Sequence, residues 1–248
     1  MVFQHFGNEH APKVMLLHGG GLNWWNYREE AFLLADTYHV ILPVIDGHAG
    51  SDRRFTAIED CADALIRFID EKFGGSVLLI GGLSLGGQIL TEMLARRKDI
   101  CRFAIVESSA VIPDPVTNAL TGPAFGASFG LIKNRTFSKL QFASLGIRQD
   151  LFEDYYRDTC LIGKEDMIAF LKASTAYRLN GAVSGTKAKV HVFAGEKEVR
   201  RVLRSADEIC RAVPGSRKTI LKWLGHGGFS INHPDMYARA VTEILSGD

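Results

Sequence analysis

Six short apolar runs recur along the chain with almost no polar alternation: KVMLLH (13–18), HVILPVID (39–46), SVLLIGG (76–82), RFAIVES (102–108), KVHVFAG (189–195) and KTILKWLG (218–225). A strand with one wet face alternates between apolar and polar residues. A strand covered on both faces does not, so these runs predict buried parallel strands. Pro43 within the second run is awkward for a central strand, because proline donates nothing to a ladder. Helical periodicity lies between the runs. It is clearest over 56–73, where Ile58, Cys61, Ala62, Leu65, Ile66 and Ile69 share one face. Thr56 and Glu59 have the spacing of a capping box, and Gly74 supplies a stop. Strand–helix alternation predicts an α/β fold, a mostly parallel sheet with helices on both faces and right-handed crossovers. In such sheets ligands bind at the carboxyl ends of the strands.

The alternation lapses from about residue 112 to 188. Pro113, Pro115 and Pro123 open this region, a Gly/Ser-rich piece follows, and helical patterns appear at 151–162 and 165–179. The expected organisation is a core of 1–111 and 189–248, with 112–188 inserted as a helical cap (lid) over the ligand site.

Composition narrows the function classes. The chain has 248 residues, 46% hydrophobic and 23% charged, enough for one sizeable core. A net charge of +1 gives no reason to expect nucleic acid or an anionic membrane as partner. No apolar run approaches the length of a membrane span, and the first residues lack a basic start followed by an apolar stretch. Cys61, Cys101, Cys160 and Cys210 are scattered without ligand spacing, which argues against a zinc site and fits a reducing compartment. The expectation is a cytoplasmic protein acting on a small-molecule substrate, its oligomeric state left open.

The candidate chemistry begins at Gly82-Leu83-Ser84-Leu85-Gly86, a G-x-S-x-G sequence. A sharp strand-to-helix turn would push the hydroxyl into a cleft, and glycines two residues either side would remove side chains that collide there. Gly126-Ala127-Ser128-Phe129-Gly130 matches the same pattern. Context separates them: Ser84 follows a strand run and precedes a helical one, while Ser128 does neither. A serine hydroxyl needs a base, and the base an orienting acid. Of eight histidines, His226 follows the last strand run with glycines beside it, which places it at the carboxyl edge. His18 and His48 lie in loops after the first two strands, where a structural role is more usual. Glu198, in the loop after the run 189–195, fits a Ser…acid…His order, with Glu196 and Glu107 as rivals. His18-Gly19-Gly20-Gly21 offers backbone N–H groups to a developing oxyanion. Gly20 or Gly21 would supply one donor and Leu85 the other. Trp24 and Trp25 are candidate pocket residues, with Phe125, Phe129, Tyr155 and Tyr156 from the inserted region.

Taken in order, LLHGGG, VIDGHAGSD, LIGGLSLGGQI, VFAGEKE and LGHGGFSINHP resemble the α/β-hydrolase superfamily over nearly the whole chain, in particular small bacterial esterases. The resemblance implies Ser84 as nucleophile, His226 as base and no cofactor, and maps the family's acid onto Glu198, where aspartate is commoner. Only VFQHFG stands where further strands usually precede the first glycine loop, which implies a missing edge strand. The function implied is a serine hydrolase cleaving a small carboxylic ester. Thioester, lactone, amide and carbon–carbon hydrolysis use the same residues. The alternative is a ligand-sensing or partner-binding protein of this fold with incidental turnover.

Overall fold

The structure is a computed structural model that describes residues 1–247. Seven strands form one sheet: β1 (Val2–Phe6), β2 (Lys13–Leu17), β3 (His39–Val44), β4 (Val77–Leu83), β5 (Cys101–Glu107), β6 (Lys189–Gly195) and β7 (Arg217–Leu221). Their order is β1-β3-β2-β4-β5-β6-β7, with β1 antiparallel to β3 and every other pair parallel. The expected strands form, and the short front of the chain supplies the antiparallel edge. Strand β7 departs from the expectation of a strand covered on both faces, because it is the opposite edge and four of its five residues are exposed. Pro43 lies beyond the three residues through which β3 pairs with β2, opposite Phe3 of the edge strand. The missing N–H therefore falls outside the β2–β3 register.

The unalternating runs are explained by two cores. Successive residues face opposite sides of a strand. Met15 and Leu17, Ile80, and Ala104 and Val106 join one core; Val14 and Leu16, Leu79 and Leu83, and Phe103 and Ile105 join the other. Helices α2 (Ile58–Phe73), α3 (Leu85–Arg96) and α8 (Arg200–Ala212) contribute to the first. Helices α1 (Arg28–Leu34) and α9 (Pro234–Ser246) contribute to the second. In α2 the predicted face is the buried one, and Gly74 ends the helix in the left-handed region at φ 68°. The capping box does not form. The helix begins two residues after Thr56, so Ala57 takes the cap position and the Thr56 hydroxyl donates instead to Asp60.

Between β5 and β6 lie α4 (Pro115–Ile132), α5 (Arg135–Ser144), α6 (Phe152–Leu161) and α7 (Lys164–Ala176). The last two match the helical patterns in the sequence. The first two were not foreseen; in α4, Gly122, Pro123, Gly126 and Gly130 depress helix propensity. Packing overrides it: Ile132 is buried and Phe125 and Phe129 pack against the core, while Asp114 caps the Thr117 N–H and Pro115 occupies the first turn, where its missing donor costs nothing. Ser128 therefore sits inside a helix, its hydroxyl bonded to the Ala124 carbonyl.

Leu65 of α2 is fully buried against the sheet. Leu65→Ala is expected to cost about 2–5 kcal/mol, read as a lower urea midpoint with an unchanged slope.

Candidate active site

Ser84 stands between β4 and α3 with φ 52° and ψ −111°. A non-glycine residue in this region is strained, and the neighbours hold it there. A Cβ on Gly82 would lie 2.5 Å from the Gly86 carbonyl, and one on Gly86 would lie 2.2 Å from the Leu17 carbonyl oxygen at the end of β2. Both contacts are with backbone, so nothing larger than glycine fits. The Ser84 N–H continues the ladder to the Glu107 carbonyl at 2.9 Å, and the Ser84 carbonyl accepts from Gln88 N–H one turn on. The turn thus joins strand and helix without an intervening loop. Gly126 and Gly130 differ: a Cβ on either meets nothing within 4 Å.

His226 lies in the segment after β7, and Glu198 in the loop after β6. Two backbone bonds zip these segments together, Glu196 N–H to Leu221 and Lys197 N–H to Leu224, each 2.9 Å. The crossing is tight: a Cβ on Gly195 would sit 2.4 Å from the Leu224 carbonyl oxygen. Both Glu198 oxygens lie 3.1 Å from His226 Nδ1. The glutamate side chain is 1% exposed and the imidazole 51%. Nδ1–H donates to the carboxylate, which leaves Nε2 as the lone-pair nitrogen. Partial burial pushes the imidazole pKa down, but the Glu198 hydrogen bond and charge, with the Glu107 charge behind them, outweigh it and raise it above 6.5. Glu196 is occupied elsewhere, accepting the Trp223 N–H at 3.1 Å. Glu107 is buried at the end of β5 and accepts from Ser230 N–H rather than from His226. The Cβ position of Gly227 lies 3.3 Å from the Leu83 side chain, which brings the His226 segment against the residue preceding Ser84.

The glycine loop after β2 is braced by two histidines. Ile45 N–H donates to His18 Nε2 at 3.1 Å, so Nδ1 carries the proton and donates to the Gly19 carbonyl at 2.9 Å. Gly21 N–H donates to His48 Nε2 at 3.0 Å, and His48 Nδ1–H to the Asp46 carbonyl at 3.1 Å. Burial holds His18 well below 6.5 and brings His48 to about 4, so both are neutral braces. Of the two glycines offered by the sequence, Gly21 has its N–H committed to His48. Gly20 N–H meets no acceptor among the described residues. Its Cβ position is 3.6 Å from that of Leu85, whose own N–H opens α3 and has no carbonyl one turn back.

A cavity of about 210 Å³ lies between Gly20, Gly21 and Leu22 on one side and Phe125, Ile132, Leu145, Tyr155, Met167 and Phe170 on the other. Trp24 and Trp25 do not line it. Trp25 is in the core, with its indole N–H on Asp158 of α6 at 2.9 Å. Phe129 packs against the core, and Tyr156 donates to the Lys133 carbonyl. Asp158 was not singled out in the sequence. It also accepts from Asn23 at 2.8 Å and from Arg157 at 2.7 Å, and so ties the inserted helices to the chain just after the glycine loop. A charge at helical spacing on the buried face of 151–162 is the one trace it leaves in the sequence. Ser108 and Ser109 also escaped notice. Ser108 accepts the Gly227 N–H at 3.3 Å, and the Ser109 hydroxyl lies 3.0 Å from the Ser84 carbonyl. Among the described residues no cluster could hold a metal ion, and no helix is long and apolar enough to cross a membrane.

A sequence profile described as Alpha/beta hydrolase family matches residues 14–241. No curated protein matches the chain significantly. Among solved structures, a thermophilic esterase from Thermogutta terrifontis superposes with a TM-score of 0.81 at 17% identity, covering 99% of this chain and 93% of that one. The enol-lactonase from Burkholderia xenovorans LB400 does so with a TM-score of 0.81 at 18% identity, covering 99% and 96%. A hydrolase from Pseudomonas aeruginosa PA01 reaches 0.82 at 14% identity, covering 98% and 93%. At these identities the likeness is one of fold.

The two G-x-S-x-G sequences should respond oppositely to one methyl group. Gly86→Ala is expected to destabilise by about 3 kcal/mol or more, through collision with the end of β2. Gly126→Ala, in mid-helix with open space around it, is expected to stabilise by up to about 1 kcal/mol. Urea titrations of both variants measure the contrast.

Proposed function

The chain belongs to the alpha/beta hydrolase family, and within it we propose a serine hydrolase that cleaves a small carboxylic ester through an acyl-enzyme. Ser84 Oγ attacks the ester carbonyl while His226 Nε2 takes its proton. Glu198 holds the imidazole in the required tautomer and stabilises the imidazolium that forms. The N–H groups of Gly20 and Leu85 receive the oxyanion. The imidazolium returns the proton to the departing alcohol oxygen. Water then adds to the acyl-enzyme by the same route, releasing the acid and restoring Ser84.

The observation that carries this reading is the pairing of both Glu198 oxygens with Nδ1 of His226 at 3.1 Å. It leaves the opposite ring nitrogen unprotonated, on a segment packed against Leu83. The strained backbone of Ser84 supports it. Residues 112–188 serve as a cap in this reading, and the cavity beneath them takes the apolar part of the ester.

A fluorophosphonate probe with peptide mapping is the direct test. The expected adduct is on Ser84, absent in Ser84→Ala and formed at least about a thousandfold more slowly in His226→Ala. An unlabelled Ser84, or equal labelling without His226, would return the chain to the ligand-binding reading.

The pH dependence has a defined sign. The base works only when neutral, and its proton is held more tightly than usual. The acid limb of kcat/KM is therefore expected above pH 6.5. Glu198→Gln removes the carboxylate that opposes burial, so the limb should fall while kcat drops by about three to four orders of magnitude.

The size of the cavity sets a chain-length preference. A dry cavity of about 150 Å³ accepts benzene, so one of about 210 Å³ suits chains of about four to eight carbons. In a series of p-nitrophenyl esters, kcat/KM should peak within that range.

A further inference from the structure

The end of β5 is bonded to both halves of the proposed triad. On one side, Ser84 N–H donates to the Glu107 carbonyl at 2.9 Å, and the Ser109 hydroxyl reaches the Ser84 carbonyl at 3.0 Å. On the other, Ser108 accepts from Gly227 N–H at 3.3 Å, and Glu107 Oε1 accepts from Ser230 N–H at 3.1 Å. Three consecutive residues therefore hold the turn that carries Ser84 and the segment that carries His226.

Glu107 is 1% exposed, and its second oxygen, Oε2, has no partner among the described residues. A carboxylate whose hydrogen bonds come from the Ser230 hydroxyl and the Phe229–Ser230 backbone, with no cation paired to it, is an expensive group to bury. Core packing alone would be served by an apolar residue at this position. The groups around Glu107 come from four elements. Glu30 lies on α1, Tyr27 in the short 3-10 helix before it (Trp24–Tyr27), Tyr237 on α9, and Ser230 with His226 in the segment after β7. Of these, His226 alone offers a positive charge when protonated.

We propose that Glu107 is a positioning residue for this triad, fixing the 226–230 segment through its side chain and, when ionised, holding the proton on His226. The proposal rests on the reading of Ser84, His226 and Glu198 given above. It assigns Glu107 a role distinct from that of the triad acid, since Glu198 already occupies Nδ1. A negative charge on Glu107, which is bonded to the segment carrying His226, favours the imidazolium formed as Ser84 loses its proton.

The titration of the group supports the idea. Burial pushes the Glu107 carboxyl up from 4.5 to about 7, against the Ser230 bonds and the His226 charge, which pull it down. Its charge is thus acquired near neutral pH. The sign for stability follows. Between its ordinary pKa and the raised one, the unfolded chain has released this proton and the folded chain has not, so stability falls as pH rises through that window.

Glu107→Gln separates charge from position. The amide oxygen can still accept the Ser230 N–H, and the charge is gone. The variant should melt no lower than wild type at about pH 8, since it no longer ionises a buried acid. Two readouts are needed. The first is an NMR titration of the His226 imidazole, assigned through His226→Gln. The second is the pH profile of fluorophosphonate labelling at Ser84. Glu107→Gln is expected to lower the His226 pKa by at least about half a unit and to shift the acid limb of labelling with it. Glu107→Ala is expected to lose at least about tenfold in the high-pH labelling rate, most of which Gln restores. An unchanged His226 pKa and labelling limb in Glu107→Gln would overturn the electrostatic role. An undiminished plateau in Glu107→Ala would overturn the positioning role. If Glu107→Ala fails to fold, the Gln comparison still decides the first question, and Ser108→Ala, which frees the Gly227 N–H, serves for the second. An inert Ser84 at every pH would refute the triad instead, while the NMR titration would still decide whether Glu107 holds the His226 proton.

Discussion

The close approach of α3 to the end of β2 is the constraint from which the rest of the site follows. Gly86 lies against the Leu17 carbonyl so tightly that a single methyl group would collide with it. That contact lets the chain pass from β4 into α3 through one residue, and it forces Ser84 into a positive φ. It also lays the first turn of α3 beside the glycine loop that leaves β2, so the N–H groups of Gly20 and Leu85 fall near one another. A looser junction would relax the serine and separate those donors in one movement. Strain at Ser84 is affordable because the surrounding backbone is over-determined, by the ladder bond to Glu107 on one side and the helical bond to Gln88 on the other.

Three histidines at one end of the sheet have been given different work by their surroundings. His18 and His48 are enclosed, each accepts a backbone N–H, and burial keeps them neutral. They act as rigid braces that fix the glycine loop whatever the pH near neutrality. His226 is half exposed and backed by carboxylates, so it alone of the three can change charge in that range. The acids divide in the same way. Glu198 is buried with a partner on both oxygens, while Glu107 is buried with one oxygen idle. The proposed roles track these differences in environment, since the side chains are chemically alike within each set.

The inserted helices are attached to the core by buried acids. Asp158 of α6 takes bonds from Asn23 and Trp25, just past the glycine loop, and Asp166 of α7 takes bonds from Arg54 and the Phe55 N–H. The cavity lies between these anchors and the glycines, so its roof and floor are cross-linked by hydrogen bonds to charged groups, which are stronger than neutral ones. Helix α4 contributes Phe125 and Ile132 to the roof although its propensity is poor. Its stability therefore comes from the face it buries.

The sequence by itself determined whatever rests on neighbours along the chain. Unalternating apolar runs marked six of the seven strands, five of them because a strand enclosed by two cores has no wet face; the sixth, β7, is an exposed edge strand. The glycine spacing around Ser84, set between a strand run and a helical one, identified the turn because that collision is local. Chain order placed His226 and Glu198 at one edge, because parallel strands deliver all their carboxyl ends to the same side. Tertiary structure alone decided the pairings. Glu198 rather than Glu196 meets His226 because the loops after β6 and β7 cross at Gly195. Gly21 was withdrawn from the candidate donors because His48, arriving from the loop after β3, takes its N–H. Residues 115–132 and 135–144 became helical because a surface was there to bury them against. Glu107, Ser108 and Ser109 bridge Ser84 to the His226 segment because β5 lies beside β4. Each of these depends on which strand neighbours which and on the distance between groups far apart in sequence, and no local pattern of residue types encodes that distance.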